Sequence, residues 1–257
     1  MPLWAIKEGA IFPINDISTV SLGPSGGHAA TTWVTTYLNA AGASGATTIT
    51  VKSITDILAS DNIGVELDSG NMHWTTVSGA PSGTTVTLAA GLASAAALNS
   101  RVYTYTTKTV RPLKVVQAES FDYTTSTSMP VNIVSRDEYM RISDKTVESD
   151  RVNQVYYDPQ LTRGILNFYP RFLNGNSIIR IWFQRPFEDM DAAGDTLDFP
   201  QEWENFIVWE LAATIGPEQG VPDRKQTILM QKAIYERGLV EGFGMEEGSV
   251  YLTPRSR

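Results

Sequence analysis

Short stretches of β-branched and aromatic residues, broken by turn residues at about ten-residue spacing, dominate the chain up to residue 188. This pattern constrains the fold more than any other feature. Thr47–Val51, Ile63–Leu67, His73–Val77, Thr84–Leu88 and Val102–Thr106 are strand candidates, separated by Asp68-Ser69-Gly70-Asn71 and Gly79-Ala80-Pro81-Ser82-Gly83. Leu113–Ala118, Met129–Val134, Val155–Tyr157, Ile165–Tyr169 and Ile178–Phe183 continue the series. Helical periodicity takes over only after 197. Pro200 suits a first helical position, where its missing N–H costs nothing. Trp203, Phe206, Ile207, Leu211 and Ile215 follow at helical spacing, and Trp209, Ala212 and Ala213 widen the apolar stripe. Gly216-Pro217 stops the helix, and Asp223 with Gln226 is the expected cap of a second one.

The expected fold is therefore α+β and mostly β. A β-sandwich-like body comes from 1–40 and 108–196, and 197–243 forms a helical hairpin. Residues 41–107 form an inserted small all-β module, set apart by composition. Ala, Gly, Ser and Thr dominate there, and Lys52, Asp56, Asp61, Glu66, Asp68 and Arg101 are its only Asp, Glu, Lys or Arg residues. Residues 244–257 read as an extended tail carrying Val250-Tyr251-Leu252. A short helix is expected after Ser135, because Glu138 three residues on completes a capping box.

Composition narrows the function. The chain has no cysteine, which removes disulfides, thiolate catalysis and cysteine metal sites. Its two histidines, His28 and His73, would have to supply any histidine-based triad or metal pair. His73 beside Trp74 reads more simply as a strand residue. Asp189, Asp191 and Asp195 form the densest carboxylate group, but lack the spacing of a calcium loop. Glu202, Glu204 and Glu210 suit a helix start. Gly23-Pro24-Ser25-Gly26-Gly27 has no following Lys-Ser/Thr and makes no phosphate loop. No catalytic residue, cofactor or metal is expected. A net charge of −8 disfavours a grip on nucleic acid through phosphates. No apolar run reaches the roughly 18 residues of a membrane helix, and the opening lacks the pattern of a signal peptide, so no membrane partner is expected. Tyr156, Tyr157, Phe168, Tyr169, Trp182 and Phe183 could stack sugars or bases, though their alternation within strands favours core and interface roles.

The segment Ile133-Val134-Ser135-Arg136-Asp137-Glu138-Tyr139-Met140-Arg141-Ile142-Ser143-Asp144-Lys145 resembles the I-x-R-x-E-Y-x-R-I-x-x-K stretch of head-to-tail adaptors of short-tailed bacteriophages, the tail tubular protein A or packaged-DNA stabilisation family. Tyr156-Tyr157-Asp158-Pro159 and Gly164–Pro170 look like that family's next two strands. Leu197–Trp203, Leu211-Ala212-Ala213 and Gly216-Pro217-Glu218-Gln219-Gly220 are similar to its proline-started helix and its ending. The likeness is loose over 1–20 and closer over 108–240. Family members usually carry a helical pair before the β domain, and this chain opens at the β domain. The 41–107 module is a second departure.

The resemblance implies a structural virion protein at the head–tail junction, made in the host cytoplasm, and not an enzyme. It would form a homo-oligomeric ring, a dodecamer, between the portal protein and the tail nozzle and fibres. Genome DNA would pass through the ring without specific binding. The tail residues Val250, Tyr251, Leu252, Pro254 and Arg255 would bind the portal. The competing expectation is a glycan-binding or carbohydrate-active phage tail protein, drawing on the aromatics and unassigned carboxylates.

Overall fold

The computed structural model describes residues 5–187 and 198–243. It shows a mostly β, α+β chain with its long helices at the C-terminal end. Lys7–Pro186 forms one compact unit, and the residues up to Ile6 together with those from Phe187 onward belong to a second.

In the first unit the chain opens with β1 (Ile6–Ile11), β2 (Thr19–Leu22) and β3 (Ala29–Ala30). It then builds β4 (Val34–Tyr37), β5 (Thr48–Thr50), β6 (Asn62–Glu66), β7 (Met72–Thr76), β8 (Thr85–Thr87) and β9 (Arg101–Tyr105). It returns through β10 (Lys114–Asp122), β11 (Thr127–Pro130), β12 (Asn132–Ile133), the short helix α1 (Arg136–Met140) and β13 (Glu148–Ser149). The unit closes with β14 (Gln154–Pro159), β15 (Gly164–Tyr169), β16 (Arg171–Phe172) and β17 (Ser177–Gln184).

Two sheets make the body. One has the order β11-β10-β17-β1-β3 and the other β12-β14-β15-β2. Because side chains alternate across a strand, Ile179, Ile181 and Phe183 share one face of β17. They join Ile11, Ala29, Val115 and Ala118 from their own sheet and Val20, Leu22, Val155, Leu166 and Phe168 from the other in one buried core. This is sandwich packing, with the apolar inner faces interleaved. The helix α1 has the expected capping box: Glu138 accepts from the Ser135 amide at 2.8 Å, and the Ser135 hydroxyl accepts from the Glu138 amide at 3.3 Å. Tyr139 is buried, with its ring 5.9 Å from Tyr156. The stretch that carries the family resemblance is thus spent largely on capping and anchoring a helix.

The glycine-rich stretch between β2 and β3 is a turn. Gly26 donates to the Gly23 carbonyl at 2.8 Å and Gly27 to that of Ser21 at 2.7 Å. A Cβ on Gly26 would lie 2.3 Å from the Ser21 oxygen, so no side chain fits there. Lys108 seals the turn by donating to the Gly26 carbonyl at 2.6 Å.

The strands β4 to β9 have their own sheet, β4-β9-β6-β7, a β5-β8 ribbon and a separate core that includes Leu38, Ile49, Val51, Ile63, Val65, Val86 and Val102. This sheet takes in Val34–Tyr37, which pairs with β9 from Val34↔Thr104 to Tyr37↔Arg101. The composition change at 41 therefore falls after the first strand of the sheet. The strand is ordinary in composition, and only its pairing places it.

A third buried cluster joins the two cores. Ala10, Phe12, Ala30 and Ile178 from the body meet Tyr103 and Tyr105 from β9. Phe12 is central, with ring centroids 5.3 Å from Tyr103, 5.4 Å from Tyr105 and 5.7 Å from Trp74. Polar bonds stitch the same seam. Trp74 Nε1 donates to the Pro13 carbonyl at 3.1 Å, Tyr103 to Gly175 at 2.9 Å, and the Met72 amide to Asn15 at 2.8 Å. Gly64 stands opposite Trp74, and a Cβ there would lie 2.7 Å from the indole, so glycine lets the ring lie across its neighbour strand.

Candidate functional site

The second unit is built on α2 (Glu204–Ile215) and α3 (Asp223–Phe243). A 3-10 turn at Gln201–Trp203 leads into α2, with Pro200 just before it. An aromatic ladder precedes the hairpin: Phe187 to Phe199 at 5.1 Å, Phe199 to Trp203 at 6.2 Å and Trp203 to Phe206 at 5.7 Å. The helices are tied by Arg237, which donates to Glu210 at 2.6 Å and lies 5.8 Å from the Phe206 ring. Lys232 pairs with Glu236 at 2.9 Å, with Trp209 and Tyr235 as ring neighbours at 5.8 and 5.1 Å. Gln226 does not cap α3. Its amide nitrogen donates to the Ala213 carbonyl at 2.6 Å and so satisfies the end of α2. The amides of Lys225 and Gln226 bond the Pro222 carbonyl instead.

These ties bury little. No residue of α2 is buried, and on α3 only Ala233 and Val240 are buried among the described residues. Val208, Leu211, Ile228, Ile234 and Tyr235 are each at least 56% exposed. A groove of about 410 Å³ runs between Val208, Leu211, Ile215, Val221 and Leu229. Contiguous apolar exposure of this kind marks a contact surface, since isolated apolar residues on a surface are ordinary and a connected set is not.

The other expected candidates resolve as follows. His28 lies in the seam, stacked on Trp74 at 3.9 Å with its Nδ1 2.7 Å from the Tyr105 hydroxyl. His73 is in β7, and its Nε2 is buried without a hydrogen-bond partner among the described residues. Among the described residues no three His, Asp or Glu side chains gather to hold an ion. Phe168 and Phe183 belong to the sandwich core, and Tyr156, Tyr157, Tyr169 and Trp182 are half-buried. Tyr157 is bound through its hydroxyl to the Pro112 carbonyl, and burial pushes that hydroxyl up to about 12. Glu210 is the ion-pair partner of Arg237. Asp189, Asp191 and Asp195 and the tail residues Val250, Tyr251, Leu252, Pro254 and Arg255 lie outside the described residues.

Burial, and then the nearby Lys108 charge, holds the His28 imidazole at about 4, well below its ordinary 6.5. The fold therefore keeps this ring neutral. A depressed histidine contributes stability that is complete above the unfolded value and is lost as pH falls from about 6.5 towards 4. The loss is about 2–3 kcal/mol across that window, allowing for the partly open ring. Unfolding free energies at pH 7 and pH 4.5 check this. Wild type is expected to lose more stability between them than His28→Gln; equal losses would remove His28 from the acid sensitivity.

No family model, curated protein or solved structure matches the chain.

Proposed function

We propose that this chain is a structural virion protein, one copy of a ring adaptor between the portal and the tail of a short-tailed phage, and not an enzyme. The observation that carries the reading is the helical hairpin, whose apolar side chains point outward from both helices. It occupies the part of the chain where the resemblance puts the adaptor's helical layer. Side-by-side contacts between copies would cover such a surface, and a repeated head-to-tail contact closes a ring when its rotation closes. In this reading the copies form a dodecamer, the β body and its module give a platform for the nozzle and fibres, and Val250, Tyr251, Leu252, Pro254 and Arg255 reach the portal. A net charge of −8 suits a channel that DNA slides through without being held.

Negative-stain imaging and native mass spectrometry of the protein mixed with its portal test the reading. Closed rings seated on the portal are expected. A monomer that ignores the portal at micromolar concentration would overturn it.

A further inference from the structure

One cleft of the first unit has no part in the ring reading. It holds about 530 Å³ beside β4 and β9, within the roughly 300–1,000 Å³ of ordinary small-molecule sites. Its walls carry the hydroxyls of Thr31, Thr32, Thr106 and Thr107, the indole of Trp33 and the carboxylate of Asp56. Thr32, Asp56, Thr106 and Thr107 are exposed, while Trp33 is half-buried.

Three properties of this lining select a ligand class. First, among the described residues no cationic side chain lines the cleft, and there is a single carboxylate. Phosphates and other anions would meet no counter-charge, and a hard cation would lack the several oxygen ligands it needs. Second, Trp33 is fixed from behind. Its Nε1 donates to the Tyr123 hydroxyl at 3.3 Å, and Phe12 meets it edge-on at 6.3 Å. A half-open indole held in this way offers a rigid apolar plate at little entropic cost. Third, the wall has polar capacity left over. Thr32, Thr106 and Thr107, which line the cleft, are exposed, so their hydroxyls are open to a ligand. An apolar plate beside hydroxyl groups and one acceptor carboxylate matches a pyranose, which has one face of C–H groups and a rim of hydroxyls.

We infer that the cleft beside β4 and β9 binds a neutral saccharide. Trp33 stacks on the sugar's apolar face, Asp56 accepts from two ring hydroxyls, and the threonines exchange hydrogen bonds along the rim. The site belongs to the compact β unit alone, so it stands whether or not the protein forms a ring.

Saturation-transfer NMR on the full chain tests this with lactose, maltotriose, cellotriose and tri-N-acetylchitotriose, and with sialyllactose as the charged counterpart. At least one neutral sugar is expected to bind saturably with a Kd of about 1 mM, as suits a shallow site. Asp56→Asn should weaken that binding about tenfold, and the paired Thr106→Val and Thr107→Val changes should weaken it by a similar factor. All three residues are exposed, so their variants keep the fold, whereas Trp33→Ala would disturb the Phe12 cluster. The inference is overturned if no neutral sugar binds at about 20 mM, if sialyllactose binds better than lactose, or if binding ignores the Asp56 and threonine changes.

Discussion

Replacing Phe12 by alanine is expected to cost about 3–5 kcal/mol, a large fraction of the roughly 5–15 kcal/mol by which a typical domain is stable. Phe12 is fully buried. Its ring meets Trp33, Trp74, Tyr103 and Tyr105 at once, with centroids 5.3–6.3 Å away. Those partners come from β4, β7 and β9 or their margins, while Phe12 follows β1. The lost contacts are therefore those that hold the body and the inserted sheet together, beyond the transfer free energy of the ring. Phe12→Leu fills most of the volume and should cost about 1–2 kcal/mol. Urea unfolding followed by tryptophan fluorescence measures both. A loss below about 1 kcal/mol for the alanine variant would mean that the seam contributes little and that the two cores stand independently.

The same seam shows where a sequence stops being readable. The strands of the inserted sheet were legible one by one: the expected Ile63–Leu67 is Asn62–Glu66, and Thr84–Leu88 is Thr85–Thr87. Local chemistry also announced itself, as in the Ser135–Glu138 box, because both partners sit within one turn. The seam needs Phe12 and His28 to meet residues dozens of positions away, Trp74, Tyr103 and Tyr105, and no local period encodes that. One trace was present in β9. All five of its residues are buried, with Val102 and Thr104 on the module side and Tyr103 and Tyr105 on the body side. A strand with large side chains on both faces is covered twice, and the alternation of Val and Thr with Tyr was visible in the sequence. Gln226 failed differently. Its spacing from Asp223 fitted a cap, but the Ala213 carbonyl of the preceding helix competed for its side chain and won. The cleft beside Trp33 was not legible at all, because its lining comes from three separated segments of threonine-rich chain.

The hairpin gives the second large effect. Leu211 and Ile234 are 56% and 68% exposed, so an aspartate at either position displaces no packed neighbour within the hairpin. Each change alone should alter monomer stability by no more than about 0.5 kcal/mol, the usual range for exposed sites. In an assembled ring the same side chains would be desolvated against the next copy. A buried apolar anchor there is typically worth about 2 kcal/mol or more, which is roughly 30-fold in affinity per contact. An unpaired carboxylate placed in that contact adds its own desolvation cost. Because every copy of a closed ring uses the contact twice, the loss multiplies through the assembly. Leu211→Asp and Ile234→Asp are therefore expected to convert rings to monomers while leaving circular dichroism and the melting temperature close to wild type. Mass photometry at equal protein concentration reads the change directly. If both variants still assemble like wild type, the exposed apolar face of the hairpin is not the contact between copies, and the ring reading loses the observation that carries it. If they assemble poorly and also melt early, the residues are structural, and the test then moves to Ile228→Asp, whose side chain is 57% exposed at the opposite end of α3 from the Arg237–Glu210 tie.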